Sequence, residues 1–184
     1  MTLSNALKTL ESKFDFVIVD TGPSWDNLTI NALFYCTEVL TPVSLEVLTL
    51  NSLIEFLERI RSVQVLNKKL QYKYLVPTFW DRRVKKSSEI LDQLRKYYPK
   101  QICEPVKYSV RISESVGFGK TIYEYAPPSS GANDYLKQYK EFSTMSDRTA
   151  TPDVLGSLMS GASIKEESNK LLKLERNKAI KKIQ

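Results

Sequence analysis

Asp20 is the residue best placed to do chemistry: it ends the run Phe14-Asp15-Phe16-Val17-Ile18-Val19 and is followed by Thr21-Gly22-Pro23-Ser24. The unbroken apolar stretch Phe16–Val19, rich in β-branched residues, predicts a parallel strand covered on both faces. Gly22 and Pro23 then stop it. Open α/β sheets bind ligands outside the carboxyl ends of their strands, so an Asp at that edge can meet a ligand or a metal shell. An acid in this setting can also cap the following helix or accept a phosphoryl group. A second chemically capable stretch is Trp80-Asp81-Arg82-Arg83-Val84-Lys85-Lys86, which packs four cations and an aromatic ring into a strand-to-helix connection. Arg111 opens a later predicted helix. Guanidinium groups bind phosphate bidentately, and several on one face give sequence-independent, salt-sensitive affinity for nucleic acid. The competing reading of the same cations is a solvated helix end.

The elements that must position these residues follow from periodicity. Leu3, Leu7 and Leu10 mark a short amphipathic helix over 3–11 ahead of the strand. Ser24 or Asp26 can cap a helix running to about Tyr35. Val39-Leu40-Thr41-Pro42-Val43 reads as the next buried strand. Leu50, Leu53, Ile54, Leu57, Ile60 and Val63 stripe one face of a long helix ending near Leu66. Tyr72–Phe79 is a strand rich in aromatic and β-branched residues, and Ser87 to about Tyr98 a helix with Ile90, Leu91 and Leu94 inward. Ile102–Tyr108 is a last strand, followed by a short helix from Val110. Phe118–Pro128 reads as an ordered loop, and Ser130 to about Ser143 as a closing helix with Tyr135, Leu136 and Tyr139 inward. The alternation implies a mostly parallel sheet flanked by helices, a doubly wound α/β domain over 1–143.

Composition narrows the function. With 184 residues and 42% hydrophobic content the chain can build one core. Two distant cysteines, Cys36 and Cys103, and no histidine argue against a zinc site, a disulfide framework or a His-dependent triad. Met1–Lys13 is polar and mixed in charge, unlike a signal peptide, and no apolar run nears the roughly 20 residues of a membrane-spanning helix, so a soluble protein is expected. Of the net charge of +6, +4 falls in 163–184, so any phosphate-binding face on the domain must be a local patch. Ser, Thr, Gly, Asp and Pro dominate 144–162, which reads as a linker. The basic 163–184 tail admits three readings: a solvated tail, a partner- or DNA-binding helix, or a membrane-surface helix. The absence of Trp and Phe from its apolar side disfavours the membrane.

Asp20-Thr21-Gly22-Pro23-Ser24, Leu28–Leu33, Pro42, Glu46, Phe79–Arg83, Val110–Glu114, Phe118-Gly119-Lys120 and Ser130-Gly131-Ala132 occur in an order and spacing that resembles the ParA/Soj family of partitioning ATPases. That family groups with MinD among P-loop proteins with a deviant Walker A motif. The likeness covers roughly residues 10–143. It implies a P-loop NTPase-like fold in which ATP and Mg²⁺ close a dimer. The dimer binds DNA without sequence preference, and a ParB-like partner stimulates hydrolysis. Asp20 then corresponds to the Walker B acid of the Mg²⁺ shell, reached through water, Pro23 to a nucleotide-side residue, and Arg83 and Arg111 to DNA-binding arginines. Where family members often carry a basic residue just upstream of Arg111, this chain has Tyr108, with Lys107 one position earlier. The implied setting is bacterial cytoplasm, on nucleoid or plasmid.

One family feature has no counterpart: no G-x-x-x-x-G-K-[ST] pattern occurs in the chain. Phosphate binding in that motif rests on backbone N–H groups and a lysine that reaches the β- and γ-phosphates. Met1 falls about where the family approaches its Walker B strand, so the chain reads as the N-terminally incomplete, C-terminal part of such a protein, without autonomous ATPase activity. Two further expectations stand beside this one. The chain could act as written, as a non-catalytic DNA- or partner-binding module that dimerises with a full-length relative, or it could be a truncated product with no role of its own.

Overall fold

The computed structural model describes residues 2–14 and 16–145. The linker and tail expected over 144–184 therefore lie, from residue 146 on, outside the described residues. The elements in order are α1 (Leu3–Leu7), a 3₁₀ turn (Glu11–Lys13), α2 (Asn27–Tyr35), β1 (Glu38–Ser44), α3 (Val47–Leu66), β2 (Gln71–Thr78), α4 (Lys85–Tyr97), α5 (Val110–Gly117), α6 (Ile122–Tyr125) and α7 (Ser130–Met145). The chain divides into two compact units, one built from the chain up to Val39 with Leu57–Lys73, the other from Leu40–Phe56 with the chain from Tyr74 onward. β1, α3 and β2 run through both.

β1 and β2 pair side by side. The Gln71 N–H donates to Thr37 O at one end and the Leu45 N–H to Thr78 O at the other, so the strands run parallel and α3 is the crossover between them. On the other side of β2, parallel bridges link Leu75 to Ile102 and Trp80 to Lys107. The expected strand over 102–108 is therefore present as a bridged extended segment rather than a full ladder. Six consecutive residues of β2, Tyr72–Pro77, are buried, as a central strand covered on both faces requires. β1 alternates instead: Val39 and Val43 are buried while Leu40 and Pro42 are exposed, so the strand expected to be buried is an edge strand. The bonds at Thr37 and Leu45 turn its odd-numbered backbone groups toward β2, which leaves Pro42, with no N–H to lose, on the outer edge.

The first unit is tied by side-chain caps. Asn31 Oδ1 accepts from the Leu3 N–H at 3.1 Å, and Asn67 Nδ2 donates to Leu33 O at 3.0 Å at the end of α2. Lys73, only 7% exposed, is neutralised by Glu38 at 2.6 Å. The expected helix over 3–11 stops at Leu7. The expected buried strand over 14–20 is a correction: 16–20 forms no helix or strand and pairs with no strand among the described residues, and Phe16 and Ile18 are 82% and 92% exposed. An apolar run becomes a buried strand only when a neighbouring strand satisfies its backbone groups and helices cover its faces.

In the second unit, Leu50, Leu53 and Ile54 of α3 meet Leu94, Tyr97 and Tyr98 from the end of α4 around a shallow crevice. Leu50, Ile90, Leu91 and Leu94 are each at most 2% exposed. At roughly 1.5–3 kcal/mol per buried side chain, these outweigh the exposed Lys85–Glu89 pair as the reason α4 docks. A second cluster joins Tyr74 and Val76 of β2 to Cys103 and Val106, with Ile112 and Phe142 packed against it. Phe142 meets Tyr74 edge-on at 4.8 Å.

α7 corrects another expectation. Among its described side chains Ala132, Asp134 and Gln138 are buried, with Gly131 beside them, while Tyr135, Leu136 and Tyr139 are 41%, 42% and 67% exposed. The helix lies along the outer edge of the 102–108 segment, where backbone groups need polar partners. Asp134 accepts from the Lys107 N–H at 3.1 Å, Glu141 accepts from the Glu104 N–H at 3.1 Å, and Gln138 donates to Glu104 O. Three side chains of one helix thus close a strand edge. The expected loop over 118–128 contains α6, started by a capping box between Thr121 and Glu124.

Candidate functional site

The carboxyl end of β2 carries the cation-rich connection. Phe79 follows the strand at φ 55°, in the left-handed region that bulky side chains avoid. The Val106 N–H donates to Pro77 O at 2.8 Å before the kink, and after it the Trp80 N–H donates to Val106 O at 3.1 Å and the Tyr108 N–H to Trp80 O at 3.0 Å, which fixes the chain on either side. Arg82 places its guanidinium 5.5 Å from the Trp80 ring centroid, a cation–π contact.

Asp81 and Arg83 form a closed unit within this turn. Asp81 Oδ1 accepts from the Arg83 N–H at 2.9 Å and from Nε at 3.0 Å, and Oδ2 accepts from an Nη at 2.7 Å. Hydrogen bonds from the Arg83 side chain and then its backbone hold the Asp81 carboxyl down at about 2. The same pair raises the Arg83 pKa. The Arg83 side chain is nonetheless 86% exposed. Lys85 and Lys86 occupy the first turn of α4, which has no acidic residue there and no side-chain cap. Cations at the positive end of the helix dipole are unfavourable unless an anion joins them.

Arg111 stands in the first turn of α5, its Nη 3.0 Å from Glu114 Oε2, which also accepts from the Tyr125 hydroxyl at 3.2 Å. The Glu114 hydrogen bond raises the Arg111 pKa. Lys107 is turned away to Asp134, at 3.0 Å from Nζ to Oδ1. The bridge between Trp80 and Lys107 brings the Arg83 turn and the approach to Arg111 onto one edge of the second unit.

Asp20 and Pro23 belong to the first unit, and both are exposed. The turn that follows is well ordered by its own polar groups. Asp26 caps α2 by accepting from the Thr29 N–H at 2.9 Å, Ser24 donates its hydroxyl to Asp26 Oδ2 at 2.9 Å, and the Thr29 hydroxyl donates to Ser24 O at 2.9 Å. The Thr29 backbone bond leads the causes that lower the Asp26 pKa. Trp25 lies 5.7 Å from the Arg59 guanidinium. Among the described residues no group of three or more His, Cys, Asp or Glu is arranged to hold a metal ion, so Asp20 has no companions for a direct Mg²⁺ site.

Sequence reasoning missed Phe79 and the Glu114–Tyr125 pair. The Asp81–Arg83 closure had a signal, since an Asp accepting from the backbone N–H two residues on is a common turn device.

The geometry can be set beside known proteins. Residues 1–72 match the model of a family described as an AAA domain. The chain is 35% identical over 141 residues to the sporulation initiation inhibitor protein Soj of Bacillus subtilis (strain 168), covering 76% of this chain and 56% of that protein. It is 35% identical over 141 residues to the chromosome partitioning protein ParA of Myxococcus xanthus (strain DK1622), covering 76% and 50%. Among solved structures, apo McdA of Cyanthece superposes with a TM-score of 0.65 at 21% identity, covering 75% of this chain and 57% of that one. A cobyrinic acid a,c-diamide synthase from Mycobacterium smegmatis, solved with ADP and magnesium, superposes with a TM-score of 0.61 at 26% identity, covering 80% and 53%. The chain spans about half the length of the curated relatives it matches.

Proposed function

Because the chain belongs to the ParA/Soj family of partitioning ATPases, we propose that it supplies the DNA-contacting part of a partitioning protein, holding duplex phosphates at Arg83 and Arg111 without reading sequence. The observation that carries this reading is the 82–86 turn: Arg82, Arg83, Lys85 and Lys86 stand together at the start of α4, which has no side-chain cap, with Asp81 on Arg83 and Glu89 on Lys85 as their acidic partners. A phosphate arriving there would take the place of the Asp81 carboxylate on Arg83 and meet unfilled N–H groups of the helix. The same exchange at Arg111 would displace Glu114.

On this reading the chain does not hydrolyse ATP by itself. Phosphoryl transfer depends on positioned charge around the phosphates, and no G-x-x-x-x-G-K-[ST] pattern occurs in this sequence, while Asp20 stands exposed and in no cluster of three or more acids, cysteines or histidines among the described residues. ATP with Mg²⁺, a ParB-like partner and dimerisation belong to the assembled family cycle, in which Asp20 would contribute to the Mg²⁺ shell. The domain boundaries at 1–143, 144–162 and 163–184 and a nucleoid or plasmid setting are part of the same proposal. A second reading, in which the chain pairs with a full-length relative as a non-catalytic subunit, is favoured by the exposed Phe16 and Ile18.

Titration of the full chain against a labelled duplex of arbitrary sequence tests the main reading. Binding is expected to weaken steeply between about 50 and 200 mM salt, with Arg83→Ala and Arg111→Ala each reducing the salt slope by about 0.9. A slope unchanged in both variants would reject the assigned contacts.

A further inference from the structure

The edge that carries the cations also presents aromatic rings to solvent. Phe79 is 60% exposed and Tyr108 is 55% exposed, with centroids 6.4 Å apart and planes tilted by 45°. Neither ring is held there by burial. Phe79 is the described non-glycine residue at positive φ, a strained backbone state that persists only where the surroundings impose it. The surroundings here are the Trp80–Val106 and Tyr108–Trp80 backbone bonds, which pin the chain and carry both aromatic residues on the same edge. The cationic turn begins three residues after Phe79, and Arg111 lies three residues after Tyr108. A second, nearly flat pair, Phe118 on Tyr125 at 5.3 Å and 19°, adjoins the Arg111–Glu114 contact through the Tyr125 hydroxyl.

We infer that this face binds single-stranded nucleic acid, with unpaired bases stacked on Phe79 and Tyr108 and the flanking phosphates on the 82–86 cations and Arg111. Interleaved rings and cations are what a sequence-tolerant single-strand platform requires, because every base offers a π-face and every linkage a charge. A duplex uses the same cations but keeps its base faces covered by stacking, so it gains nothing from the rings. The inference rests on the phosphate-binding reading above and deepens it by adding the bases.

The test compares a labelled oligothymidine of about 20 nucleotides with a duplex of equal length, by anisotropy on the full chain at matched salt. Phe79→Gly removes the ring and relieves the backbone strain, so a thermal melt should show the fold retained. Phe79→Trp restores a stacking ring and reports contact by its fluorescence. The single strand is expected to bind at least about tenfold more tightly than the duplex. Phe79→Gly should cost about tenfold on the strand alone, while Phe79→Trp binds normally and is quenched. Equal affinities with no effect of Phe79→Gly would overturn the stacking inference and leave the phosphate reading standing. Failure of both oligonucleotides to bind would overturn both. Loss of self-association in Phe79→Gly with strand binding intact would assign the rings to a second copy of the chain and overturn the inference.

Discussion

Asp81 holds Arg83 by backbone and side chain at once, through contacts of 2.9 Å from the amide, 3.0 Å from Nε and 2.7 Å from Nη. An exposed cation of the turn is thus occupied by a neighbouring carboxylate. Replacing Asp81 by Asn keeps an acceptor for the amide but removes the competing charge. Asp81→Asn should raise duplex affinity several-fold at low salt and steepen the salt slope by about 0.9, read by anisotropy from about 50 to 200 mM salt. Unchanged affinity would mean that Arg83 does not meet phosphate.

The same pair has a defined pH signature. Asp81 is depressed to about 2 in the folded chain, below its ordinary 3.8. Its contribution to stability is therefore fully present above the ordinary value and is lost as pH falls toward about 2. Carboxyl NMR titration should place the Asp81 midpoint near 2, and Arg83→Gln should move it back up toward the ordinary value.

Asp134, 6% exposed, accepts from both the amide and the ammonium of Lys107. Asp134→Ala leaves a strand-edge N–H without its partner and should cost about 1–3 kcal/mol in denaturant unfolding. Asp134→Asn keeps an acceptor for that amide and should recover part of the loss.

Cys36 is half-buried and Cys103 fully buried. Burial pushes the Cys103 thiol up to about 12. A thiol-specific disulfide reagent near pH 8 should modify Cys36 at least about tenfold faster, with Cys103 reacting only on unfolding. Comparable rates would contradict the second core cluster.

Phe16 and Ile18 stand 82% and 92% exposed. Phe16→Ser with Ile18→Lys should leave unfolding stability within about 0.5 kcal/mol per site, since neither side chain is buried. The same pair should lower self-association in light scattering, because an exposed apolar strip is an association surface. A large fall in stability would show that the strip is packed in solution.

Much of this was legible in the sequence where one helix face had one job. α3 and α4 bury apolar stripes against apolar neighbours, so Leu50, Leu53, Ile54, Ile60 and Val63 and then Ile90, Leu91 and Leu94 could be read directly from spacing. α7 defeated the same rule because it docks on backbone edges rather than on a sheet face, so Asp134 and Gln138 go inward and Tyr135, Leu136 and Tyr139 outward. The strand over 14–20 failed for a different reason: composition states which residues could be buried, whereas burial also needs neighbours to cover them. At the site, Arg83 and Arg111 were visible as cations following strands, but their carboxylate partners depend on local turns. The positive φ of Phe79 leaves no mark in residue type.

The α7 side chains that occupy Glu104 and Lys107 give the sheet a valence. One margin is satisfied by Asp134, Gln138 and Glu141 and can accept no further strand. Among the described residues the opposite margin, along β1, pairs with no further strand, and Pro42 there lacks a donor. A sheet with two reactive margins can propagate into a fibre, whereas one with a single margin ends with its first partner. Within the described sheet an added strand would therefore find open backbone groups along β1 and none along the margin that α7 closes.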